Sequence, residues 1–258
     1  CAAGICSQED NPAIVNAAGL LSPSQAAKMI ASIVAGNAER AFGACGDLLA
    51  QAADRLAPAG LRPAGEALLA KLPGDADAMY SLPSWQRPRT VAVDALAAVL
   101  TGLGRIDPSL ADAAMATILT RPNCYDLDTV LIPAALTLGT TIPERLREAC
   151  RAHLEARIAR PLAPPADLRR EAVIACTCQY CRDLNQFLAD PIRQTWTLRA
   201  VELTRSHVEG AIHRHHCDLE TDTDRKGRPY TLICTKTQAS YDRRVRQRAE
   251  DLEHLARL

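Results

Sequence analysis

Soft metal ligands crowd into one stretch, from Cys176 to Cys217, which reads C-T-C-Q-Y-C at one end and H-R-H-H-C at the other, with His207 just upstream of the second cluster. Cys178 and Cys181 form a C-x2-C knuckle, and His213 and Cys217 stand four apart, the spacing that puts two side chains on one face of a helix. Thiolate sulfur and neutral imidazole suit a tetrahedral d10 ion, so the spacing predicts a zinc site built from Cys178, Cys181, His213 and Cys217. A closed set of four protein ligands holds structure together and leaves no open position for a reaction. Other members of the stretch compete for these places. Cys176 can stand in for Cys178, and His207, His215 or His216 for His213, with Cys234 as an outside candidate.

The remaining candidates for chemistry have plainer readings. Glu220, Asp222 and Asp224 share one face of a strand and could meet a hard cation, but a solvated edge strand carries the same charges to discourage aggregation. The Arg-rich end of the chain (Arg243, Arg244, Arg246, Arg248) could touch phosphates. Its neighbours Asp242, Glu250, Asp251 and Glu253 predict a helix laced with ion pairs instead, and no aromatic residues interleave for base stacking. His216-x-Asp218 with a later His254 formally echoes the two-histidine, one-carboxylate iron triad, which needs a larger β scaffold than one hairpin. No phosphate-binding loop, dinucleotide fingerprint or nucleophile elbow is present. No catalytic and no cofactor-binding residue is assigned.

The elements that must position these ligands follow from composition and periodicity. Lys plus Arg and Asp plus Glu both total 30 in 258 residues, so no global charge favours nucleic acid or a membrane surface. The apolar runs are all shorter than the roughly 20 residues of a membrane span. Ten cysteines in a long, helix-like chain, half of them after residue 175, point to an intracellular, reducing compartment, cytoplasmic or nuclear. The chain opens at Cys1 in apolar, helix-like sequence, which reads as a piece of something longer.

Ala and Leu at spacings of three and four recur up to Ala159 and predict helices joined by Pro or Gly turns. Ser22-Pro23 starts one, Pro58-Ala59-Gly60 stops another, Asp107-Pro108-Ser109 starts a third, and Pro133 forces a kink or a late start within 126–138. The interval 75–88 reads as a long connection laid over the helices through Tyr80 and Trp85. An irregular, α-solenoid-like helical array over 1–160 is expected, then a Pro-rich linker at 161–165, then a zinc-stabilised α+β module over 166–258. In that module a helix runs from Asp167 into the knuckle, helices follow at 181–188 and 198–213, and one hairpin forms from Leu219–Asp224 and Tyr230–Thr235. A charged helix spans 239–258.

One run of residues also carries a resemblance. C-Q-Y-C-R-D-L-N-Q-F-L-A-D-P, then R-S-H-V, then R-K-G-R-P-Y-T-L-I-C-T-K-T-Q-A-S-Y resembles the carboxy-terminal region of long fungal and bacterial proteins that carry a prolyl-hydroxylase-like 2-oxoglutarate and iron oxygenase domain nearer their amino terminus. It covers Cys176 to Leu258. The helical part enters it only through Leu127-Asp128-Thr129-Val130-Leu131-Ile132-Pro133. The resemblance implies a non-catalytic region of a larger protein and draws attention to Cys178, Cys181, Arg205, His207 and Thr235-Lys236-Thr237. The expected role is a scaffold for a protein partner or for other domains of the parent chain, with nucleic acid as the rival partner.

Overall fold

The structure, a computed structural model, describes residues 7–74 and 91–258; the expected connection over 75–88 and the residues around Cys1 lie outside them. By its internal contacts the chain divides into two units, Cys1–Arg157 with Leu252–Leu258, and Ile158–Asp251. It is mainly helical, with stacked helices and one small sheet. Among the described residues no helix is long and apolar enough to cross a membrane.

The first unit is a stacked array. Its helices are α1 (Asn11–Ala18), α2 (Pro23–Asn37), α3 (Phe42–Ala53), α4 (Pro58–Leu69), α5 (Val93–Ile106), α6 (Pro108–Ile118), α7 (Ile132–Leu138) and α8 (Glu144–Ile158). Local chemistry fixes several starts. Ser22 and Gln25 form a reciprocal capping box at α2, and the Asp107 carboxylate accepts the Ser109 N–H at α6. Pro58 opens α4 instead of closing the helix before it, since a proline at the first helical position gives up no intrahelical hydrogen bond. Pro133 is accommodated by a wide turn, Leu127–Leu131, after which α7 begins afresh with the proline in its first turn. Asp126 caps that turn by accepting the Thr129 N–H at 2.8 Å.

With so few aromatics, the array gains its density from backbone proximity. A Cβ placed on Gly46 of α3 would come within 2.5 Å of the Val99 backbone on α5, and one on Gly102 of α5 would overlap the Gly46 carbonyl. Leu48 and Leu49 of α3, Leu96 and Leu103 of α5, and Met115 and Ile118 of α6 are fully buried.

The second unit is built on a three-stranded antiparallel sheet in the order β1-β3-β2, with β1 at Thr195–Arg199, β2 at Leu219–Asp224 and β3 at Thr231–Lys236. The predicted hairpin is β2 and β3, while β1 lies where the sequence reading had the start of a helix. Trp196 pairs with Cys234 and Leu198 with Leu232, all four buried, so one face of the sheet is apolar. Helices α9 (Gln179–Ala189) and α10 (Glu202–Arg214) supply Leu184, Phe187, Leu188, Val208, Ala211 and Ile212 to the same core. The last helix, α11 (Ala239–Arg257), is held at its start by Asp218, whose carboxylate accepts the N–H and the hydroxyl of Ser240 at 2.9 and 2.7 Å. The helix expected from Asp167 to the knuckle is absent; residues 169–178 are irregular. Two buried cations of this unit are satisfied by main-chain oxygens: Arg170 donates to Thr237 O at 2.7 Å, and Lys236 to Asp190 O at 2.6 Å with its ammonium 4.5 Å from the Phe187 ring centroid.

The close approach of α3 and α5 makes a clear prediction. Gly46→Ala must push the two helices apart and should destabilise the chain by about 1–3 kcal/mol, read as a lower denaturation midpoint in urea with an unchanged slope.

Candidate metal centre

The site begins at an irregular segment that two hydrogen bonds hold in place. The Asn185 side chain on α9 accepts the Ile174 N–H at 2.9 Å and donates to the Ile174 carbonyl at 2.8 Å. This clasp, with Arg170 N donating to Leu188 O, lays residues 170–174 along α9 and delivers Cys176 and Cys178 to the helix start. Cys178 is the N-cap of α9. Its sulfur accepts the Cys181 N–H at 3.4 Å, taking the place an oxygen usually fills, and Cys181 follows in the first turn, fully buried.

From α10, His207 closes the group. Its Nε2 lies 3.5 Å from Cys176 Sγ, 3.5 Å from Cys178 Sγ and 3.4 Å from Cys181 Sγ. The four ligand atoms all lie within 4.8 Å of one another. A tetrahedral ion with bonds of about 2.3 Å to sulfur and 2.05 Å to nitrogen separates those atoms by about 3.6 Å, so the nitrogen sits equidistant from three sulfurs at nearly that spacing. A metal bound through Nε2 would take that atom's lone pair and so require the imidazole proton on Nδ1. A Cys3His group able to hold a metal ion is therefore present.

The thiols of the group differ in proton affinity. The Cys181 N–H donated to its sulfur draws the Cys178 thiol down to about 7, whereas burial, with the neighbouring Cys178 and Cys176 sulfurs, pushes Cys181 up to about 12. A bound cation favours the thiolate form of all three, so metal uptake releases protons.

Of the four ligands predicted from the sequence, the structure brings Cys178 and Cys181 together and sets His213 and Cys217 outside the group. Two of the alternatives read from the sequence complete it: His207 in the place expected of His213, and Cys176, which joins Cys178 instead of replacing it. The reason lies at the end of α10. The predicted pairing of His213 with Cys217 needs the helix to continue for another turn, but it stops at Arg214. His216 takes a left-handed conformation at φ 50°, the Cys217 N–H bonds back to Ile212 O at 3.1 Å, and the His216 N–H to His213 O at 3.2 Å. This is a Schellman ending, usually announced by glycine. It leaves His213 exposed and turns Cys217 into the apolar core, where burial raises its thiol. Cys234, on β3, is buried in that core too, its thiol pushed up to about 12. His215 caps α10.

The acidic strand β2 lies at the edge of the sheet, with Glu220 and Asp222 exposed and Asp224 accepting the Lys226 N–H at the turn. Sequence reasoning missed Asn185 altogether, since an amide at helical spacing gives no signal of a clasp to a residue 11 positions away. The chain matches no protein-family model, no curated protein and no solved structure.

Two substitutions separate the clasp from the helix ending. Asn185→Ala removes both bonds to Ile174 and should weaken metal affinity about 10–100-fold in competition with a chromogenic chelator. His216→Gly relieves the left-handed conformation, so it should leave that affinity unchanged while stabilising the chain by up to about 1 kcal/mol in denaturant titration.

Proposed function

We propose that the chain is a non-catalytic scaffold whose second unit is stabilised by one structural zinc ion, and that it serves a larger protein by engaging a protein partner. The observation that carries the reading is the placement of His207 Nε2 at 3.4–3.5 Å from three cysteine sulfurs. Three thiolates and an imidazole select zinc over the harder divalent ions, and four protein ligands close its coordination shell. The ion would supply no reaction; it would join α9, α10 and the irregular segment before them. That is a large contribution in a unit whose apolar core draws on few aromatic side chains, because metal binding adds directly to folding free energy.

The larger protein in this reading carries a 2-oxoglutarate and iron oxygenase domain elsewhere, as the resemblance of Cys176–Leu258 implies, and works in a reducing intracellular compartment where close thiols stay available to a metal. A second reading, nucleic-acid binding, draws support from Arg244 and Arg246 on α11, which have no partner among the described residues. It predicts affinity that climbs steeply as salt falls and disappears when Arg243, Arg244 and Arg246 are replaced together.

Metal analysis of the purified chain under reducing conditions tests the main reading. One zinc per chain is expected, lost in Cys181→Ser and in His207→Ala but kept in His213→Ala. A wild-type chain without zinc, or a His207→Ala variant that retains it in full, overturns it.

A further inference from the structure

At the end of the sheet that carries the turn between β2 and β3, a groove of about 630 Å3 opens between the start of α10 and the loop leading into β3. Its floor is a buried cation. Arg205 is only 8% exposed, yet it carries no carboxylate partner among the described residues. Its Nε donates to Ala200 O at 3.2 Å, and Nη1 reaches Thr223 Oγ1 only at 3.5 Å, the limit of a hydrogen bond. Nη2 has no hydrogen-bond partner among those residues. Nη2 is not sealed from solvent, so on an otherwise buried guanidinium it is the donor left to meet a group that enters the groove.

The walls say what that something is. Arg228 lines the groove with no side-chain partner among the described residues, and Arg199 holds that wall by donating to the Arg228 and Pro229 carbonyls. Val201, the N-cap of α10, offers no side-chain acceptor to the free N–H groups of the first turn, which therefore face outward with a partial positive charge. Among the lining residues one acid stands against these, Glu202, and Asp222 and Asp224 flank Thr223 on the neighbouring strand. The rest of the lining is apolar: Val201 is 63% exposed, Pro229 and Tyr230 lie opposite, and Leu203, one residue beyond, is 84% exposed.

We infer that this groove binds an acidic peptide segment, with a carboxylate taken by Arg205 and Arg228 and a neighbouring apolar side chain laid against Val201, Pro229 and Tyr230. The inference rests on the protein-scaffold reading above and gives the partner its chemistry. Arginine forks favour carboxylate and phosphate alike. Two features favour the peptide over a nucleic-acid strand: the Arg205 guanidinium, 5.4 Å from the Tyr230 ring centroid, already covers that ring as a stacking platform, and Glu202 opposes a run of phosphates. The exposed Val201 and Leu203 extend the apolar surface past the groove, which suits a segment of a protein better than a small carboxylate.

The test uses the full chain supplied with zinc and a fluorescein-labelled octapeptide, Gly-Ser-Asp-Leu-Glu-Leu-Gly-Ser. Its controls are the same peptide with Asn and Gln in place of the acids, and an oligothymidylate. Saturable binding is expected for the acidic peptide, about tenfold weaker for the amide version, with backbone amide resonances of residues 201–205, 228, 230 and 231 moving on titration. Arg228→Glu should weaken binding at least about tenfold, and Val201→Glu should do so independently, with the zinc content of both variants unchanged. Equal binding of the amide peptide, tighter binding of oligothymidylate at the same residues, or shifts confined to other surfaces would overturn the inference. A chain that holds zinc but shows no shift for the acidic peptide loses the groove and keeps the zinc scaffold; a chain without zinc loses both.

Discussion

Three sulfurs and an imidazole nitrogen within 4.8 Å of one another form an arrangement that a chain does not reach by burial alone. Thiolates that close repel, and thiols that close gain little from each other. A cation changes the sign of the balance, and the second unit is organised as though for one. Helices α9 and α10 share one core with the apolar face of the sheet, the irregular segment is tied to α9, and the imidazole comes from the middle of α10, where the helix is least able to fray.

What surrounds that group fits the same economy. The second unit stacks Phe187 against Trp196 at 6.2 Å and fills the rest of its core with aliphatic side chains and two cysteines that stay out of the metal group. Long cations then serve as struts, Arg170 and Lys236 crossing from one element to the main chain of another. Both bury apolar stems while their charged ends find carbonyl oxygen. The sheet thus depends on a few long-range polar bonds as much as on apolar area. The first unit depends on helix backbones in contact.

Much of this architecture is legible in the sequence. Ser22, Asp107 and Pro108 announce helix starts through capping chemistry, and the β-branched run ending at Thr235 announces a strand, because these signals are local. The element β1 is not legible, since Thr195–Arg199 is short and its one alternation of Trp196 and Leu198 gains meaning only when Cys234 and Leu232 lie beside it. Half of the metal group can be read from C-x2-C spacing, which works locally by placing a capping sulfur and a first-turn sulfur together. The other half cannot. His213 and Cys217 have the spacing of a helical pair but are parted by a left-handed histidine that carries no glycine to advertise it, and His207 is singled out only by a tertiary approach of two helices.

The contact of α3 with α5 through Gly46 and Gly102 has a mechanical consequence. Side chains between helices act as cushions, because a change of rotamer can absorb a small displacement. Where one backbone rests on another there is no cushion. The pair can neither slide nor roll without lifting apart, so it moves as one stiff beam, and any surface mounted on these two helices keeps its shape under load.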